Sequence, residues 1–207
     1  MKFDPSLYLV VGRSFACGRE LCALVAEAVA GGVTMVQLRE KEADFREFVE
    51  MAEVLKRTLA PRGVPLIIND SVEVAKRVGA DGVHLGQSDV PFAEARSVLG
   101  PKAWIGLSIE TREQARRAEA LEVDYLGVSP VFASASKTDT GTPWGLDGLI
   151  WLRANSRHVL VGIGGITSDN AGSVIRAGAH GVAVISAICS APSPRGAAES
   201  LKQAILI

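Results

Sequence analysis

The chain lacks most of the features that would take it out of the ordinary globular class. Of 207 residues only Cys17, Cys22 and Cys189 are cysteine, and they form neither a CxxC pair nor a Cys/His ligand spacing. An odd, unpatterned set excludes a disulfide framework and a structural zinc site; it predicts a reducing compartment in which all three thiols pack as small buried apolar groups. Charge of one sign is missing too. The formal net charge is -1, which leaves no basic surface for nucleic acid and no charged tail. No uncharged apolar run reaches the length of a membrane span, and the opening MKFDPSLYLVV lacks the charged, apolar and cleavage-site succession of a leader. Pro/Ser-rich linkers are absent. Together these predict a cytoplasmic protein with one domain over residues 1–207 and a small molecule as its partner, with no nucleic acid and no membrane.

What is present is alternation. At 48% hydrophobic and 22% charged, the chain is large enough for one substantial core. Short apolar runs predict strands at 7–11, 33–38, 65–69, 81–85, 103–107, 124–128, 158–163 and 181–185. Amphipathic segments predict helices at 19–30, 44–60, 71–78, 91–99, 111–121, 145–154, 168–177 and 194–206. Caps punctuate them. Thr111 precedes Gln114 in capping-box spacing, Pro91 sits near a first turn, and Ser168 opens a helix. Gly31, Gly79, Gly100 and Gly178 follow helical runs, as caps requiring positive φ would. Eight such units predict a (β/α)8 (TIM) barrel, with an open doubly wound sheet as the alternative.

In such a barrel the active site lies at the C-terminal strand ends. VQLREK puts Gln37, Arg39 and Lys41 at every second position of a strand and its exit, so they share one face. Cations in a core need a partner, either an anionic ligand or the neighbouring Glu40, Glu42 or Asp44. Asn69, Asp70 and Asp89 end the next two units; the two acids suit Mg2+ holding phosphate oxygens, or else cap helices. Ser108 ends the fifth strand. After strands seven and eight, Gly164 and Gly165, then Ile185 and Ser186, stand where such barrels bind phosphate. The longest loop, 129–142, carries Ser134, Ser136 and Lys137 and reads as a lid that binds a carboxylate or phosphate. His84 reads as a structural hydrogen-bond partner, and Trp104, Trp144 and Trp151 as packing.

VQLREK, IIND, GVHLGQSD, GLS, SxSK, VGIGGI and VAVISAI stand in the order and at about the spacing found in thiamine phosphate synthases, which the chain resembles over nearly its whole length. The resemblance implies transfer of a hydroxymethylpyrimidine group from its diphosphate to a thiazole carboxylate phosphate, releasing diphosphate and CO2. It implies pyrimidine diphosphate binding by Gln37, Leu38, Arg39, Glu40, Lys41, Asn69, Ser108 and Lys137, and Mg2+ on Asp70 and Asp89. Arg39, Lys41, Ser108 and Lys137 would be catalytic, and Ser134, Ala135, Ser136, Gly165, Ile185 and Ser186 would hold the thiazole phosphate. In the family the pyrimidine departs first as a benzylic-type cation, so stabilising the diphosphate is the main task. Two departures stand out: SxSK replaces the usual TxTK, and Val11-Gly12 replaces a common Thr-Asp pair, which leaves the role of the first strand end open. A thiazole tautomerase and a non-catalytic binding protein of the same fold are the alternatives, and association into a homo-oligomer is left open.

Overall fold

The computed structural model describes residues 3–133 and 142–206. Eight parallel strands, β1 (Leu7–Val11), β2 (Met35–Leu38), β3 (Leu66–Asn69), β4 (Gly82–Leu85), β5 (Trp104–Ile109), β6 (Tyr125–Val128), β7 (Val159–Ile163) and β8 (Gly181–Val184), follow one another round a closed barrel. Closure is direct: Leu9 of β1 is in register with Val36 of β2 on one side and Val184 of β8 on the other. The sheet therefore has no edge.

Helices α1 (Leu21–Ala30), α2 (Phe45–Leu59), α3 (Val72–Val78), α4 (Phe92–Leu99), α5 (Arg112–Ala118), α6 (Gly145–Asn155) and α7 (Ser168–Arg176) alternate with the strands. A short α8 (Ser186–Cys189) and then α9 (Pro194–Ile205) follow β8. Each helix follows from its pattern. In α2, Phe48, Val49, Ala52, Leu55 and Leu59 recur on one face and are buried, while the Asp44 carboxylate accepts the Glu47 amide at 2.9 Å and caps the first turn. Outward-pointing strand residues such as Leu9, Val36, Leu38 and Ile68 are wholly buried beneath this helical layer. A buried aliphatic side chain of this kind contributes about 1.5–3 kcal/mol.

Several boundaries differ from the sequence pattern. β5 continues to Ile109, so Ser108 lies within the strand. α5 stops at Ala118, where the backbone tightens before β6. α8 is new, being too short to show periodicity. Gly79, Gly100 and Gly178 have φ of 61°, 80° and 111°, as caps should, but Gly31 has φ -85° and the positive value passes to Gly32. Gly31 serves packing instead: a Cβ there would lie 2.3 Å from the Arg195 carbonyl oxygen of α9.

Candidate active site

The C-terminal mouth of the barrel opens into a cavity of about 360 Å3. Gln37, Arg39 and Lys41 line it together with Asn69, Asp70, Asp89, Ser108 and Ile185, so eight of the sequence-predicted site residues converge. Strand alternation decides which members of VQLREK take part. Leu38 turns outward and is wholly buried under the helices. Glu40 also turns away: its side chain, 5% exposed, accepts the backbone N–H of Arg13 and pairs with the Arg13 guanidinium at 3.7 Å. Asp44 is occupied in capping α2. Glu40 and Asp44 are thus engaged elsewhere, and among the described residues neither Arg39 nor Lys41 forms an ion pair, with Glu42 or any other acid. Two unneutralised cations at a cavity mouth are a site for an anion.

The first strand end braces this wall. Arg39 donates its amide to the Val11 carbonyl at 2.8 Å, and its guanidinium lies 5.6 Å from the centroid of Phe15. At Gly12 a Cβ would come within 2.2 Å of the Arg39 carbonyl oxygen. Val11-Gly12 therefore offers backbone and close approach where a Thr-Asp pair would offer side chains.

Asp70 is released from the helix-capping role. Ser71 is the N-cap of α3, its hydroxyl accepting the Val74 amide, while Asp70 sits at φ 62° with its amide on the His84 carbonyl. The Asp70 carboxyl is pushed up to about 6, by burial first and then by the hydrogen bond with Asp89 and the charge of Asp89, with Lys41 and Arg39 opposing the shift. Asp89 is held by the Gly86 amide at 2.6 Å. Two facing carboxylates that repel each other form a cradle for a cation. Among the described residues no cluster of three or more His, Cys, Asp or Glu surrounds them. Two carboxylates are the number that Mg2+ takes when waters and substrate phosphates complete its shell, so the residues fit that metal.

The turn after β7, outside the cavity lining, is built from glycine. Gly164 and Gly165 have φ of 104° and 63°, and a Cβ on Gly165 would lie 2.6 Å from the Ala133 carbonyl oxygen. The Asn170 amide fastens this turn by donating to the Gly165 carbonyl at 2.9 Å. Ile185 reaches the cavity, whereas Gly164, Gly165 and Ser186 are not among its lining residues. Ser134, Ala135, Ser136 and Lys137 lie outside the described residues. On the flanks of their loop, Phe132 donates to Gly164 at 3.0 Å and Gly145 to Val131 at 2.9 Å.

Sequence reasoning missed Tyr8 and Tyr125, which form the cavity floor with His84. It took Tyr8 for part of a uniformly buried strand, and only the inward direction of the ring would have shown otherwise. His84 is a hydrogen-bonding residue as expected, with Nε2 2.8 Å from Ser108 Oγ. The tryptophans pack: Trp104 meets Phe3 edge-on at 5.1 Å, and the Trp151 ring lies 4.7 Å from the Arg112 guanidinium. The expectation of three buried thiols needs correction, since Cys17 is exposed and Cys22 half-buried; only Cys189 is in the core. Cys17 lies on the connection after β1, at φ 52°, with its thiol 3.7 Å from the Ser190 hydroxyl.

A closed (β/α)8 barrel with cations, facing carboxylates and glycine turns at one mouth defines an enzyme of the phosphate-handling class. The profile of the thiamine monophosphate synthase family matches residues 7–188, and the chain belongs to that family. The thiamine-phosphate synthase of Albidiferax ferrireducens is 54% identical over 96% of this chain and 91% of its own length. That of Azorhizobium caulinodans is 49% identical over 98% and 96%. Among solved structures, the thiamine phosphate pyrophosphorylase of Pyrococcus furiosus superposes with a TM-score of 0.87 at 35% identity, over 97% of this chain and 95% of that one.

Proposed function

We propose that the chain is a Mg2+-dependent transferase that joins a hydroxymethylpyrimidine to thiazole carboxylate phosphate, making thiamine phosphate. The bond between the pyrimidine methylene carbon and the diphosphate oxygen breaks, its electron pair leaving with diphosphate. The thiazole nitrogen lone pair forms the new C–N bond, and loss of the carboxylate as CO2 leaves its electron pair on the ring carbon, which takes up a proton. The observation that carries this reading is the pair of unneutralised cations, Arg39 and Lys41, at the mouth that Asp70 and Asp89 share.

Each residue has a task set by its place. Arg39 and Lys41 hold the diphosphate and stabilise the charge that grows on it as the C–O bond breaks, a contribution that needs no nucleophile. Mg2+, held by Asp70 and Asp89, would supply further charge neutralisation on the diphosphate. Asn69, Gln37 and Ser108 line the same cavity and would take the pyrimidine ring. Gly164, Gly165 and the turn at Ile185 and Ser186 offer backbone amides to the thiazole phosphate. Ser134, Ser136 and Lys137 would add hydroxyls and a cation from the strand-six loop. No helix among the described residues is long and apolar enough to cross a membrane. Together with free thiols, this supports a cytoplasmic place for the enzyme.

The test is a coupled assay of the intact protein with both substrates, with and without Mg2+. Thiamine phosphate is expected only with the metal. Arg39→Ala is expected to lower the rate by about 100-fold or more. An intact protein that yields no thiamine phosphate overturns the reading, and metal-independent isomerisation of the thiazole would replace it with the tautomerase.

A further inference from the structure

Four hydrogen bonds run without a break across the cavity floor. Gln37 Nε2 donates to Tyr8 Oη at 2.7 Å, and the Tyr8 and Tyr125 hydroxyls lie 2.9 Å apart. Tyr125 Oη is 3.0 Å from His84 Nδ1, and His84 Nε2 is 2.8 Å from Ser108 Oγ. Space is reserved for the rings: a Cβ at Gly106 would fall 2.1 Å from Tyr125 Cζ, and one at Gly127 would fall 2.9 Å from His84 Cε1. The outer members, Gln37 and Ser108, have a place in the site already; the three between them have none.

Counting protons gives the chain a direction. An amide nitrogen can only donate, so the Tyr8 oxygen accepts from Gln37 and must send its own proton elsewhere. The Tyr125 oxygen is the acceptor within reach. Two protons cannot share one O···O line, so the Tyr125 proton goes to His84 Nδ1. A neutral imidazole that accepts at Nδ1 carries its proton on Nε2, and that N–H donates to Ser108. Burial pushes both phenols far above their ordinary pKa, so both keep the protons this scheme needs. The Ser108 hydroxyl is left to donate into the cavity, and the Gln37 carbonyl oxygen is left to accept.

We propose that Tyr8 and Tyr125 are positioning residues that hold His84 in its Nε2–H tautomer, so that the floor presents an acceptor at Gln37 and a donor at Ser108. The inference deepens the proposed function, on which the identity of the ligand rests. The complementary ligand is a heteroaromatic ring with an amine donor on one edge and a ring-nitrogen acceptor on another, as an aminopyrimidine has. A ring with those groups exchanged would leave buried polar atoms unpaired, and such mismatches cost far more than the bond gained.

The experiment is long-range 1H–15N correlation spectroscopy of protein labelled at histidine, with the His84→Gln variant assigning the signals. Wild type is expected to show an unprotonated Nδ1 and a protonated Nε2 on His84. Tyr125→Phe removes the donor to Nδ1; the second tautomer should appear and KM for the pyrimidine diphosphate should rise about tenfold, with KM for the thiazole phosphate unchanged. Tyr8→Phe keeps the Tyr125 bond to His84 and should keep the wild-type tautomer while raising the same KM. A wild-type His84 protonated at Nδ1 overturns the proposal, as does a folded Tyr125→Phe with unchanged tautomer and KM. The wild-type tautomer is read without either tyrosine variant having to fold. A protein with the expected tautomer that makes no thiamine phosphate would overturn the substrate reading and leave the positioning network standing.

Discussion

Asp70 occupies a left-handed backbone conformation, φ 62°, beside a carboxylate of like charge. Both features cost stability that the free protein does not recover, the pattern of a residue kept for ligand chemistry. The folded pKa of about 6 exceeds the unfolded value, so the native state binds the proton more tightly. The stabilising contribution of that proton is therefore complete below about pH 4 and is lost as pH rises through the folded value. Asp70→Asn keeps a residue that tolerates the left-handed region and removes the repulsion. In metal-free protein near neutral pH its Tm should rise by a few degrees, and calorimetry across pH 4 to 7 should lack the downward step expected of wild type. Coupling should fall about 100-fold. A variant with lower Tm and the wild-type slope would show that Asp70 is a structural residue instead.

At the level of single elements, the caps were the most legible part of the sequence. Thr111 and Gln114 form the capping box their spacing announces: the Thr111 hydroxyl accepts the Gln114 amide, and the Gln114 side chain accepts from Thr111 and Glu110. Thr111→Ala should cost about 1 kcal/mol, read as a lower denaturation midpoint with unchanged m, and should leave coupling intact. Less legible was anything that depends on which strand face meets the barrel axis. LYLVV is buried at every position, so its composition does not distinguish Tyr8, on the cavity floor, from Leu9, beneath the helices. VQLREK was readable because its alternation is chemical as well as geometric, and the structure turns Leu38 and Glu40 away while Gln37 and Arg39 face in. Whether Asp70 or Ser71 caps α3 could not be read, because both are good capping residues and only the backbone angle at 70 separates them.

For the molecule as a whole, closure is the governing fact. β1 joins β2 to β8, and α9 packs back on α1 and α7, so the first and last elements complete one ring. We expect one cooperative unfolding transition, with fluorescence and circular dichroism coinciding. Two separated transitions would show that the halves of the ring fold independently. The barrel order itself was visible in the sequence because eight strand and helix pairs leave few other arrangements.

Arg39 and Lys41, in no ion pair among the described residues, sit beside Asp70 and Asp89 in a chain whose formal net charge is -1. Seen from afar, plus and minus cancel, and salt erases what remains beyond about 8 Å. At physiological salt the mouth therefore draws its substrates only over a short range. It recognises them at touching distance, where the order of the charges along the wall, and not their sum, is what an arriving anion meets.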